Sequence, residues 1–153
     1  PQPAIARAVV DVVTTLVGLG GESVAAVDHR LDDALNVTER YWRRSAGVLP
    51  GNETEAHLAD WDRYRSRMLR ATASFDLIVM PVAPTVAPAH RPMDPTDYIY
   101  TLPASLTGAP VVVIQCGTDD DGLPVAVQLV AHRWRDDVAL AAGMALERAA
   151  MRS

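Results

Sequence analysis

Two apolar segments, Pro110–Cys116 and Pro124–Ala131, stand either side of a connection that carries Asp119, Asp120, Asp121 and Gly122, and this pair limits the fold more than any other feature of the chain. Strand-type residues bounded by turn residues predict two strands that turn back antiparallel. A third strand is expected at Asp76–Pro81, a continuous apolar run closed by proline that suits burial on both faces. The proline-rich stretch Pro81–Pro95 then reads as a loop, too rigid and too poor in N–H donors for a strand interior.

Helical spacing accounts for most of the rest. Ile5, Val9, Val12, Val13 and Leu16 predict a helix that opens after Pro1-Gln2-Pro3, runs to about Val17 and stops at Gly18, Gly20 and Gly21. Glu22–Val27 follows as a short segment of strand type. A helix leading into a strand normally belongs to a βαβ unit, and the strand that should precede this helix has no sequence here to come from. Leu31–Ala46 and Glu55–Ser74 predict two more helices, separated by the Pro50-Gly51-Asn52 turn, with Thr54 placed to cap the second. Thr96–Gly108 stays open, because Pro103 interrupts what otherwise reads as a helix. The last helix is expected from Asp136 or Asp137, with Arg148 and Arg152 at its end, the charge order that the helix dipole favours.

The 153 residues suffice for one core, and 49% hydrophobic with 22% charged residues excludes a disordered chain and a disulfide scaffold. A net charge of −5 gives no general attraction to nucleic acid or to anionic membrane. No apolar stretch is long enough to span a bilayer, and the single cysteine, Cys116, has no internal partner, so a cytoplasmic protein is the expectation. All 14 basic residues are arginine. The absence of lysine excludes, for this chain alone, Schiff-base chemistry, a phosphate-binding lysine and a serine–lysine hydrolase.

No local motif supplies a catalytic set. His29, His57, His90 and His132 form no i,i+3 or i,i+4 pair, so neither a metal site nor a cofactor is expected. Cys116 with His132 can be written as nucleophile and base, but a cysteine ending an apolar strand reads better as a small buried hydrophobe. The three aspartates read as a solvated hairpin tip because the ligand pattern of a calcium loop is missing. Gly18-Leu19-Gly20-Gly21 follows a helix and precedes a strand, the reverse of the order that aims helix N–H groups at phosphate. The tryptophans and tyrosines between residues 41 and 64 read as helix core.

Three longer stretches, Phe75–Thr85, Thr101–Pro110 and Gly122–Val130, closely resemble in content, order and spacing the C-terminal half of the amidase signature family. The opening helix, the Leu19-Gly20-Gly21 turn and the segment Val24–Val27 are similar to that family's chain just beyond its active-site region. The resemblance implies an α/β fold with a mixed β-sheet flanked by helices, residues 1–153 being one partial domain. It also implies a hydrolase of carbon–nitrogen (amide) bonds that uses a serine, a second serine joined by a cis peptide bond, and a lysine, all N-terminal to the part seen here.

On that resemblance this chain contributes scaffold and pocket walls, with no catalytic residue of its own. Thr85, Tyr98, Tyr100 and Thr101 correspond to positions near the substrate entrance and are expected to shape an acyl or leaving-group pocket. Tyr98 stands about where the family's tRNA amidotransferase members are expected to carry an acidic residue for glutamine, which argues for a simple amidase. Ser105, where the family commonly has asparagine, is expected to be structural. The expected partners are a small-molecule amide, once the N-terminal half completes the site, and either a complementary amidase half or a second copy of the chain through exposed apolar surface. A non-catalytic binding or assembly module on the same scaffold is the alternative.

Overall fold

In the computed structural model, which describes residues 1–22 and 26–151, a three-stranded sheet is held between two helical layers. The strands are β1 (Leu77–Pro81), β2 (Val111–Thr118) and β3 (Pro124–Ala131), in the spatial order β1-β3-β2. Both pairings are antiparallel: Val79 lies opposite Leu129, and Val112 lies opposite the other edge of Leu129. The α/β class, with helices flanking a sheet, is as the sequence predicts. Residues 23–25 of the segment predicted as a strand at 22–27 lie outside the described residues, as does Arg152, and Glu22, Ala26 and Val27 are not in a strand.

Alternation along β3 sorts the core. Val125, Val127 and Leu129 face helices α1 (Pro3–Gly18) and α5 (Asp136–Ala150), where they pack with Ile5, Ala8, Val12 and Leu146. Gly143 lets α5 come close: a Cβ there would stand 2.9 Å from Val112 Cγ1. On the other face Val130 packs with Met80 of β1 and Ala104 of the short helix α4 (Leu102–Thr107). Beyond it, α2 (Leu31–Ser45) and α3 (Gly51–Ala71) form an antechamber of their own, in which Ala34, Val37, Tyr64 and Met68 meet Leu102 and Leu106 of α4.

Three expectations need correction. Only Met80 of β1 is fully buried; the strand is an edge strand whose other four residues are half-buried. Both faces of β1 pack, Leu77 and Val79 on one side and Ile78 and Met80 on the other, but with no strand beyond it among the described residues the open edge leaves that burial partial. Thr54 does not cap α3, which starts a turn earlier at Gly51, with Pro50 at the cap position and no side-chain cap bond. Proline's fixed φ suits the entry to a helix, so Pro50 opens α3 and leaves no need for Thr54. Cys116 does not end its strand either: β2 runs on to Thr118 through an irregularity in which Gly117 has φ 125°.

The open stretch 96–108 resolves into a 3₁₀ turn at Pro95–Tyr98 followed by α4. Pro103 lies in the first turn of α4, where its missing N–H has no intrahelical partner to lose. Gly108, in the left-handed region at φ 71°, ends the helix.

Candidate functional site

The 3₁₀ turn is braced from both sides before it presents anything. Asp94 Oδ1 accepts from the Thr96 amide at 2.9 Å and its hydroxyl at 2.6 Å, while the Asp94 amide donates to Asp97 Oδ2 at 3.0 Å. Arg91 grips the Asp97 carboxylate with two bonds of 3.0 and 2.5 Å. These bonds hold both acids below their ordinary carboxylate range, Asp97 mainly through Arg91 and Asp94 mainly through Thr96. Such bracing of an exposed loop fixes the position of Tyr98 at its end.

Tyr98 stands between two clefts. On one side it shares a cleft of about 400 Å³ with Thr85 and the proline-rich loop. On the other it shares one of about 780 Å³ with Thr101, Tyr41, Trp42 and Trp61. Tyr100 is set apart: its ring packs with Met80, Ala104 and Val130, and its carbonyl accepts a 2.7 Å bond from Gln128 Nε2. Of the four residues expected at a substrate entrance, then, Tyr98 meets Thr85 in one cleft and Thr101 in the other, and Tyr100 lies behind them.

The larger cleft is walled by helices that are tied together. Arg40 of α2 bonds Asp60 of α3 at 2.5 Å, and Arg67 of α3 reaches Asp33 of α2 at 3.1 Å. Trp61 Nε1 donates to the Leu106 carbonyl at 3.0 Å, docking α3 onto the end of α4. Tyr64 is core, as the sequence predicts, but Tyr41 and Trp42 are each 38% exposed and line the cleft instead. Adjacent residues on a helix point about 100° apart, so a Tyr-Trp pair falls at the two margins of one apolar stripe and stays partly exposed. That adjacency was the available signal.

Gln128 is the residue that sequence reasoning missed. It is 1% exposed, and its Nε2 bonds the carbonyls of both Pro81 and Tyr100 at 2.7 Å. A glutamine in the middle of an apolar strand, alternating with residues of the other face, marks a position where a buried polar group has a task.

Other groups are spent structurally. Cys116 and His132 lie toward opposite ends of the hairpin, about 23 Å apart at the usual rise along β3. Burial also pushes the Cys116 thiol up, which disfavours the thiolate. Asp119 Oδ1 accepts from the amides of Asp121 and Leu123 within its own hairpin. The amides of Leu19, Gly20 and Gly21 close on carbonyls at the end of α1. His57 is fully buried, with Nε2 3.1 Å from the Val37 carbonyl.

His29 gives a pH dependence. Burial holds its imidazole below the ordinary 6.5, with Asp28 opposing in part. The unfolded chain takes up this proton near pH 6.5 and the folded chain does not, so the stabilisation is complete above 6.5 and lost as pH falls toward the folded value. Denaturant midpoints measured at pH 7.5 and 5.0 are expected to fall further for the wild type than for His29→Asn; equal falls would remove His29 as the cause.

A family model described as Amidase matches residues 43–140. A curated relative, one of the subunits of the glutamyl-tRNA(Gln) amidotransferase of Lachnospira eligens, is 38% identical over 85 residues, covering 52% of this chain and 18% of that protein. A fatty acid amide hydrolase of Medicago truncatula is 26% identical over 148 residues, 87% of this chain and 24% of the relative. Among solved structures, one described as an amidase superposes with a TM-score of 0.80 at 21% identity, over 95% of this chain and 42% of the other. The chain thus spans less than half the length of the proteins it matches.

Proposed function

The chain belongs to the amidase family, and on that premise we propose that it is the C-terminal portion of an amidase signature hydrolase acting on amide C–N bonds, whose serines and lysine come from a complementary segment. In this reading Thr85, Tyr98 and Thr101 wall the entrance to the site, and Tyr100 supports them from behind. The lone cysteine suits a reducing compartment, so the proposed setting is the cytoplasm.

The observation that carries the reading is β2. Val112 and Ile114 pack toward α1 and α5, but Val111 and Val113 on the opposite face are 38% and 55% exposed, and Trp134 beside them is 85% exposed. Apolar residues on both faces are the pattern of a strand with both faces covered. An uncovered valine row beside an exposed tryptophan is a surface that further protein would bury. The absence of lysine, together with the relatives' greater length, supports the same view.

The test is to assay the purified chain on aryl and aliphatic amides, alone and mixed with an amidase N-terminal portion that carries the serine–serine–lysine set. No turnover is expected alone, since the barrier must fall by on the order of 8 kcal/mol or more and no lysine is present to activate a hydroxyl. Turnover is expected on mixing, and it should vanish when the added lysine is changed to alanine. A mixture that neither associates nor turns over substrate overturns the reading. So does activity of this chain alone that survives repurification and is lost in Ser105→Ala.

A further inference from the structure

The ridge that divides the two clefts is a contact between two side chains. Met93, at the end of the proline-rich loop, and Tyr98, at the end of the 3₁₀ turn, each line both clefts, and the Tyr98 hydroxyl donates to Met93 Sδ. A thioether is a weak acceptor, so this bond is a light latch. On its other side the Tyr98 ring meets Trp42 of α2 edge to face, centroids 6.5 Å apart at 76°. A change at the sulfur is therefore passed through Tyr98 to the wall of the larger cleft.

Met93 is also open to solvent. It is 71% exposed, whereas Met68 and Met80 are 2% and 4% exposed within the core. Met144 and Met151 are exposed too, but they lie on and just past α5 and line neither cleft. Oxidants dissolved in water reach an exposed thioether and convert an apolar side chain into a polar one. At Met93 that conversion falls on the latch.

The backbone on either side of the latch is held. Arg91 Nη1 donates to the Pro92 carbonyl at 3.0 Å, and the Asp94 amide donates to Asp97 Oδ2 at 3.0 Å, so Met93 is braced before and after. The Tyr98 carbonyl accepts from both the amide and the hydroxyl of Thr101, each at 2.9 Å. A hydrogen bond leaves no room for a further atom between its partners. An oxygen added to the sulfur must then be accommodated by the side chains: the Tyr98 hydroxyl moves from sulfur to the stronger sulfoxide acceptor, and its ring turns against Trp42.

We propose that Met93 is a reversible oxidation site whose sulfoxide, formed by hydrogen peroxide, resets the Tyr98–Trp42 wall between the two clefts. A lone pair of Met93 Sδ attacks one peroxide oxygen; the S–O bond forms as the O–O bond breaks, and the departing hydroxide takes the proton of the transferred oxygen and leaves as water. Sulfur is oxidised by two electrons and peroxide is reduced by two. Reversal uses methionine sulfoxide reductase with a dithiol, which becomes a disulfide while the oxygen leaves as water. The switch stands on the latch itself; its consequence for amide entry rests on the hydrolase reading above.

The test exposes the full chain to graded hydrogen peroxide, reads each methionine by peptide mass, and follows the indole N–H signals of Trp42 and Trp134 by NMR. Met93 is expected to gain oxygen at least about tenfold faster than Met68 or Met80, as their exposure dictates. The Trp42 signal should shift in proportion to Met93 oxidation, and Trp134, which does not touch Tyr98's clefts, should serve as the unshifted reference. Reductase with dithiol should restore both mass and signal. Met93→Leu should abolish the shift, Met144→Leu and Met151→Leu should retain it, and Tyr98→Phe, which lacks the hydroxyl, should lose most of it. Met93 oxidising no faster than the core methionines, a Trp42 signal unmoved at full Met93 oxidation, or a shift that survives in Met93→Leu or stays undiminished in Tyr98→Phe would each overturn the proposal. An intact switch in a reconstituted mixture without turnover would fail the hydrolase reading alone, and turnover with no Trp42 response to peroxide would fail the switch alone.

Discussion

Replacing Leu129 by alanine is expected to destabilise the fold by about 3–5 kcal/mol, the upper part of the range for a leucine removed from a site that cannot collapse. Leu129 is 0% exposed and occupies the centre of the central strand, flanked by Val79 on one side and Val112 on the other. The helix above it is already in close contact, since a Cβ added at Gly143 would lie 3.9 Å from Leu129 Cδ1 and 2.9 Å from Val112. Strands paired on both sides and a helix seated through a glycine leave little freedom to close the cavity. At a size of about 150 residues this loss corresponds to a fall in Tm of roughly 10 °C or more. The check is calorimetry on the two proteins, with Leu129→Met as a volume-conserving control expected to cost under about 1.5 kcal/mol. A Leu129→Ala protein that melts within 2–3 °C, on the order of 1 kcal/mol, of the wild type would show that the helical layers adjust more freely than their packing implies.

The residues of this core also explain what the sequence discloses and what it withholds. The hairpin of β2 and β3 is visible because its information is local: β-branched runs, and turn residues between them whose carboxylate and amides close the tip. The helices are visible through spacing, and α2 begins at the predicted Leu31. Properties that depend on what lies across space are not. A proline in a helical pattern looks like an interruption, yet Pro103 occupies the first turn, and only the position of the turn before it decides that. The run Leu77–Pro81 carries the composition of a doubly covered strand, so composition states what the strand is built for, while the described structure states what presently covers it. Tyr98 could be placed near an entrance by resemblance, but its partner Trp42 lies 56 positions earlier in the chain, on a helix whose pattern speaks only of a core stripe.

Gln128 is the strongest case of information that is long-range, and its replacement by leucine is expected to cost about 2–4 kcal/mol, because two enclosed carbonyls lose their donor at about 1–3 kcal/mol each, partly offset by the added apolar burial. Its Nε2 spans β1 and the segment before α4, bonding Pro81 and Tyr100 at 2.7 Å. Both carbonyls terminate segments that lead to the clefts: the proline-rich loop with Thr85 follows Pro81, and Thr101 follows Tyr100. Losing the amide should therefore loosen the entrance as well as lower Tm. Gln128→Glu separates donor loss from shape. Its carboxylate would face two acceptors and be desolvated, so its folded pKa should rise above the ordinary value near 4.3. With a raised folded pKa the relative stability of that variant is greatest at low pH, where the protonated acid supplies one donor, and is lost as pH rises through the folded value. Unfolding midpoints at pH 4.5 and 7.5 should accordingly converge toward the wild type at the lower pH for Gln128→Glu and keep a constant gap for Gln128→Leu. If both variants melt with the wild type at pH 7.5, the two carbonyls have other donors and Gln128 does not hold the entrance.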